Sequence, residues 1–178
     1  SRDVRHAFVR ALHQARPSDI NTTGYISGCA PFKKRADSLT DLCYKIIVSK
    51  IEILKKDPTE KHYGIILEYG HTFAHAFEKL SRIPHGETVA IGMVLAAQLS
   101  ERMGMISKTE AERLKSLVGL YGLPVEYRGD FSDVFEVMRK DKKRAGGGIS
   151  LILLESIGKA VIKEVEMTDL KNWINDLC

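Results

Sequence analysis

The sequence predicts a mainly α-helical protein, a helical bundle with a small C-terminal β-hairpin. Apolar residues recur every three or four positions over most of its length, as they do along one face of a helix. Residues 86–103 are small or apolar on nearly every side, which is typical of a helix in the middle of a bundle. Only residues 149–154 and 160–165 are rich in β-branched and aliphatic residues, and the short turn-like stretch between them indicates a hairpin.

The apolar stripes and their flanking signals define the helices in order. They are predicted at residues 3–14, from 37 or 38 to about 56, around 71, at 86–103, from 107 to before 122, at 131–140 and at 169–177. Pro17 opens a loop over residues 17–32, Asp57 and Pro58 end the second helix, and Ser107 with Glu110 forms a capping box. These elements predict a single domain over residues 1–178.

Composition limits the classes of function. The chain has 178 residues, 44% of them hydrophobic, enough for one core or at most two small ones. A net charge of +4 permits an anionic small-molecule substrate but does not indicate nucleic acid. The three cysteines form no CxxC pair, the longest apolar run is too short for a bilayer, and no signal-peptide pattern opens the chain. A cytoplasmic protein without membrane or nucleic-acid partners is therefore expected.

Histidines are concentrated in one stretch. Three of the six, His71, His75 and His85, fall within fifteen residues. On a helix, His71 and His75 lie on one face, and the break at residues 81–84 lets the chain return His85 beside them. Because neutral imidazole is a preferred ligand of zinc and cobalt, this cluster predicts a metal site. The alternative is that all three are ordinary helix-surface histidines.

Three further residues break their local pattern. Lys50 falls on the apolar stripe of its helix, so it either meets an anion or reaches out to the edge of the bundle. Glu68, three residues before His71, could orient an imidazole, act as an acid or base, or accept a substrate hydroxyl, or could simply favour a helix N-terminus. Lys142 belongs to a basic segment before a glycine run, which suits either a flexible closure on phosphate or a solvated surface.

Two motifs carry a resemblance to a known family. Residues 70–78 read GHTFAHAFE and residues 85–93 read HGETVAIGM. This pair resembles the C-terminal domain of the sugar phosphate cyclases, the 3-dehydroquinate synthase family, and is most like the 2-deoxy-scyllo-inosose synthases. Residues 141–158 resemble the closing segment of the same family.

The resemblance implies a metal- and NAD-dependent enzyme. Its N-terminal NAD-binding domain is absent from this chain, which is therefore expected to be inactive alone. His71 and His85 would bind Zn²⁺ or Co²⁺, and His75 would contact the substrate rather than the metal. Lys50 and Lys142 would bind a phosphorylated sugar, and Glu68 with His75 would handle hydroxyl protons. A homodimer is the expected assembly of the full-length enzyme.

Three departures from the family pattern define the alternatives. Arg10 and His13 stand where a Glu-x-x-Lys motif would supply the third metal ligand. Glu68 stands where dehydroquinate synthases usually carry an asparagine, and resembles the deoxy-inosose synthases in this. Gly64 stands where dehydroquinate synthases carry an arginine for the carboxylate of their substrate. The leading hypothesis is therefore conversion of glucose 6-phosphate to 2-deoxy-scyllo-inosose. The alternatives are 3-dehydroquinate synthase and a non-catalytic relative that acts as a partner subunit.

Overall fold

A computed structural model describes residue 44, residues 47–48, 50–59, 63–143 and 148–176, without the side chains of residues 63, 141–143 and 175. The predicted helix at 3–14, the loop at 17–32, the start of the second helix and the departures at Arg10 and His13 lie outside these residues. Within the described part, residues 50–56 are helical and the helix ends before Asp57, as predicted. Ile53 of its predicted apolar stripe is buried, whereas Ile47 is exposed.

The remaining elements follow in a simple order. They are a 3₁₀ helix at Tyr63–Glu68, α1 at His71–Leu80, α2 at His85–Arg102, α3 at Lys108–Leu120, α4 at Phe131–Lys143, β1 at Ile149–Ser156, β2 at Lys159–Val165 and α5 at Met167–Asn175. The predicted fold class, a helical bundle with a C-terminal β-hairpin, is confirmed. None of the described helices combines the length and apolar character needed to cross a membrane.

Several element ends differ from the predicted ones by two or three residues. α4 continues through Lys143 instead of ending at about Lys140, so the backbone of the basic segment is helical up to that point. Its residues are tolerated in helices, and the glycine run begins only at Gly146. α5 begins at Met167, two residues before the predicted start, because Glu166 has the extended conformation of an N-cap residue.

Helix α2 is the centre of the bundle, as its sequence predicts. Most of its side chains, from Thr88 through Ser100, are buried, and α1, α3 and β1 all pack against it. α4 packs on α1, and α5 packs on α4. The small residues of α2, such as Gly92 and Ala96, let these neighbours approach it closely, which suits this largely apolar helix to the middle of the bundle.

The buried hydroxyl of Ser100 links the hairpin to α2 through hydrogen bonds. β1 and β2 are antiparallel, with an irregularity in their register between Leu154 and Ser156. The Leu154 amide donates to Ser100 Oγ at 2.9 Å, and Ser100 Oγ donates to the Ala96 carbonyl at 2.7 Å. Ser100 therefore satisfies a buried backbone group of the hairpin.

Replacing Ser100 with alanine should lower the free energy of unfolding by about 1–3 kcal/mol, because the buried Leu154 N–H then loses this acceptor. Urea unfolding followed by circular dichroism measures this loss. Ser150→Ala is the matched control, since Ser150 lies on the same strand but its hydroxyl donates to the exposed Glu164. Equal losses in the two variants would contradict the anchoring role of Ser100.

Candidate metal centre

The first turn of α1 is fixed against the middle of α2. Gly70, which precedes α1, has a φ of 82°, a conformation that glycine adopts readily. A Cβ placed on Gly92 of α2 would lie 2.1 Å from the Gly70 carbonyl oxygen, so the two backbones touch. Next to this contact, the buried Tyr69 hydroxyl donates to the Met93 carbonyl at 2.8 Å. These contacts set the position from which His71 projects.

The short connection between α1 and α2, residues 81–84, then brings the chain back beside His71. Ser81 ends α1 by donating both its backbone N–H and its hydroxyl to the Phe77 carbonyl, at 2.8 and 2.7 Å. Pro84 has a φ of −58° and is the N-cap residue of α2. His85 is therefore the first residue of α2, and its side chain lies beside the face of α1 that carries His71.

The three imidazoles come together as the sequence predicts. The ring centroids of His71 and His85 are 5.4 Å apart, and those of His71 and His75 are 5.9 Å apart. His71 is partly buried, whereas His75 and His85 are exposed. The predicted proximity is confirmed, while the individual roles of the three rings stay predictions.

His71 and His85 each use one ring nitrogen to contact the protein. His85 Nδ1 lies 2.5 Å from Glu78 Oε1, and His71 Nδ1 lies 3.4 Å from the Tyr69 carbonyl oxygen. A metal-binding histidine commonly donates its second ring N–H to a carboxylate or a carbonyl in this way. In both rings these contacts leave Nε2 as the nitrogen that could bind a metal ion.

The spacing of these two rings fits a shared divalent ion. Metal–nitrogen bonds of about 2.0–2.1 Å in tetrahedral geometry place two ring centroids about 5 Å apart, close to the observed separation. Burial lowers the pKa of His71 and outweighs the opposing effect of its bond to the Tyr69 carbonyl. A lowered pKa keeps the imidazole neutral, the form that binds metal.

The two histidines do not form a complete coordination sphere by themselves. The structure describes part of residues 44–59 and the ranges 63–143 and 148–176. Within these residues, no group of three or more His, Cys, Asp or Glu side chains is arranged to hold a metal ion. Arg10 stands where the family pattern would have its third metal ligand, and it lies outside these ranges. The described centre is thus a pair of candidate ligands, and a metal ion held there would need further donors.

The described structure gives fewer contacts between the histidines and the other predicted site residues. Glu68 is exposed at the end of the 3₁₀ helix, and its charge acts on His71, where it raises the pKa. Lys50 is half-buried in the helical residues 50–56, and no contact found within the described part joins it to the histidines. Lys142 belongs to the last turn of α4, but its side chain is outside the described part.

Glu78 is a site residue that the sequence analysis missed. It ends the first motif and lies on α1 seven residues after His71, hence on the same helix face. That spacing was the available signal, because a carboxylate on the histidine face is a natural partner for an imidazole. Its contact with His85 depends on the turn at residues 81–84, which the sequence only outlines.

Comparisons with known proteins agree with the fold and the motifs. A family model described as 3-dehydroquinate synthase C-terminal matches residues 24–144. The chain is 40% identical to the 3-dehydroquinate synthase of Campylobacter concisus over 145 residues, 79% of this chain and 42% of that protein. It is 39% identical to the enzyme of Acidithiobacillus ferrooxidans over 152 residues, 80% of this chain and 42% of that protein. The chain thus spans about two fifths of these relatives.

Solved structures of more distant proteins share the fold. A 2-deoxy-scyllo-inosose synthase complexed with carbaglucose-6-phosphate, NAD⁺ and Co²⁺ matches with a TM-score of 0.77 at 23% identity, covering 97% of this chain and 51% of that one. The 2-epi-5-epi-valiolone synthase of Streptomyces hygroscopicus, with NAD⁺ and Zn²⁺ bound, matches with a TM-score of 0.80 at 20% identity, covering 99% and 51%.

Proposed function

Because the chain belongs to the 3-dehydroquinate synthase C-terminal family, we propose that it is the metal- and substrate-binding part of a sugar phosphate cyclase. Such an enzyme eliminates phosphate from a phosphorylated sugar and then closes a carbocycle by an intramolecular aldol reaction. The observation that carries the proposal is the pair His71 and His85, whose rings lie 5.4 Å apart, each with Nδ1 beside an oxygen acceptor.

His71 and His85 would hold Zn²⁺ or Co²⁺ through Nε2, together with donors outside the described residues. When bound, the ion supplies Lewis-acid polarisation of a substrate oxygen and so acidifies the neighbouring C–H bond. NAD, bound mainly by another part of the full-length enzyme, would supply the transient oxidation. The cofactors bound to the related synthases support this assignment.

His75 and Glu68 would act on the protons of the substrate. His75 is exposed, and its ring lies 5.9 Å from that of His71, near enough to face a sugar held at the centre. Imidazole exchanges protons near neutral pH, so His75 can take a hydroxyl proton at Nε2 or Nδ1 and later return it. The exposed carboxylate of Glu68 can accept a hydrogen bond from a neighbouring hydroxyl.

Lys50 and Lys142 would bind the anionic groups of the sugar phosphate. Gly64 favours a substrate without a carboxylate, because it offers no cationic side chain and its backbone N–H is held by Asp57 Oδ2 at 2.8 Å. Together with Glu68, this supports glucose 6-phosphate as substrate and 2-deoxy-scyllo-inosose as product. We propose that the full-length enzyme is a homodimer and is cytoplasmic.

A second candidate is 3-dehydroquinate synthase, which acts on a seven-carbon keto acid phosphate. The curated dehydroquinate synthases are 35–40% identical to this chain, whereas the deoxy-inosose synthase structures are 22–23% identical. A third is a non-catalytic partner subunit, because Arg10 does not supply the charge of a carboxylate ligand.

Turnover by the full-length protein separates these candidates. With NAD and Co²⁺ or Zn²⁺ present, each of the two substrates is supplied in turn, and phosphate release and the carbocyclic product are measured. We expect release from glucose 6-phosphate and formation of a deoxy-inosose. Turnover of the keto acid phosphate alone would replace this assignment by dehydroquinate synthase. If the protein turns over neither substrate and holds no stoichiometric metal, the result favours the non-catalytic partner subunit.

A further inference from the structure

Glu78 connects the two helices that carry the metal-binding candidates. It lies near the end of α1, and its Oε1 is 2.5 Å from Nδ1 of His85, the first residue of α2. Thr88, one turn further along α2, has its hydroxyl 2.7 Å from the His85 carbonyl and 3.3 Å from the same Glu78 oxygen. The carboxylate is thus fitted into the first turn of α2.

The geometry of this contact indicates where the proton of His85 lies. Glu78 Oε1 and His85 Nδ1 are within hydrogen-bond distance, at 2.5 Å. A carboxylate oxygen accepts hydrogen bonds, so we take the His85 nitrogen that faces it to be the donor and to carry the proton. A neutral imidazole has one ring proton, and Nε2 of His85 is then left with its lone pair.

His85 needs this restraint more than His71 does. The His85 side chain is 49% exposed, whereas His71 is held by its partly buried position. An exposed ring rotates about its side-chain torsions and samples both tautomers unless a partner selects one. The Glu78 contact is also the shorter of the two Nδ1 contacts, 2.5 Å against 3.4 Å for His71.

We propose that Glu78 is a positioning residue of the metal centre, which holds His85 as the Nδ1–H tautomer with Nε2 directed to the ion shared with His71. This inference rests on the proposed metal-binding function. Thr88 supports the same arrangement by holding the backbone of His85. The competing interpretation is an ordinary surface ion pair, which would contribute little to stability and nothing specific to metal binding.

The first test measures metal affinity in the full chain by competition with a chelator, using Co²⁺ as the probe. Glu78→Ala should weaken binding by about 10–100-fold, the usual effect of losing the partner of a metal-binding histidine. Glu78→Gln should lose less, since its amide oxygen still accepts the Nδ1 proton. The control Glu112→Gln removes an exposed carboxylate on α3 and should bind like the parent. Parental affinity in Glu78→Ala would overturn the proposal.

The second test does not need metal. Nitrogen-15 NMR of the histidine rings, at a pH where they are neutral, reports which nitrogen of His85 carries the proton. We expect Nδ1–H in the parent and a shift toward Nε2–H in Glu78→Ala, with Glu112→Gln unchanged. A proton on Nε2 in the parent would overturn the positioning role. If the tautomer is as expected but no ion binds, the proposed function fails while the role of Glu78 in fixing the ring stands.

Discussion

Gly92→Ala should destabilise the protein by about 3 kcal/mol and displace the first turn of α1. The added Cβ would lie 2.1 Å from the Gly70 carbonyl oxygen and 3.0 Å from its carbonyl carbon. Both atoms belong to the backbone, so they cannot move aside as the end of a flexible side chain can. The approach is equally close from the other side, since a Cβ on Gly70 would lie 2.7 Å from the Met93 backbone nitrogen.

The matched control is Gly119→Ala, which also adds a methyl group to a helical glycine. Its Cβ would meet only the Val125 side chain, at 3.7 Å, an ordinary contact. Alanine is the better helix former, so this variant should be as stable as the parent or about 0.5–1 kcal/mol more stable. Denaturant unfolding compares the two, and a Gly92→Ala protein as stable as Gly119→Ala would refute the close backbone contact.

The same substitution should impair the metal centre in any folded fraction. His71 follows Gly70 directly, so pushing the first turn away from α2 moves His71 relative to His85, which belongs to α2 itself. Metal ligands tolerate displacements of only a few tenths of an ångström. The expected result is weakened Co²⁺ binding together with lowered stability, whereas Ser100→Ala, at the other end of α2, should lower stability alone.

Local patterns in the sequence predict the parts of this fold that depend on neighbouring residues. The small, apolar residues of α2 predict its central position, and Ser107 with Glu110 predicts the observed capping box. The histidine spacing, together with the break before His85, predicts three rings in one place. Each of these follows from helix periodicity or a terminal signal.

Contacts between elements could not be predicted in the same way. Neither Gly70 nor Gly92 shows by its local sequence that the two backbones touch, since that depends on how α1 crosses α2. The pairing of Glu78 with His85 depends on the exact course of the connection between these helices. The last turn of α4 is not predicted either, because its residues, Asp141 to Lys143, carry no apolar side chain that would mark a helix face.

His71→Ala and His85→Ala should each weaken metal binding by more than about 100-fold, since removing a ligand costs more than removing the partner of a ligand. His75→Ala should bind Co²⁺ as the parent does. By helix spacing alone, His75 would be as good a metal ligand as His71, whereas the family resemblance makes it a contact of the substrate. Comparing the metal affinities of these variants therefore decides between the two predictions. His75 is exposed, and within the described part of the chain no hydrogen bond to its ring is found.

The opposite pattern is expected for turnover by the full-length protein. His75→Ala should keep its metal yet lose about 10²–10⁴-fold in kcat, the usual contribution of a proton-transferring group. Metal analysis and phosphate release, measured on the same preparations, separate the two effects. His6→Ala, outside both motifs, is the control for a general effect of removing an imidazole. A His75→Ala protein that loses its metal would make His75 a ligand and leave proton transfer to Glu68.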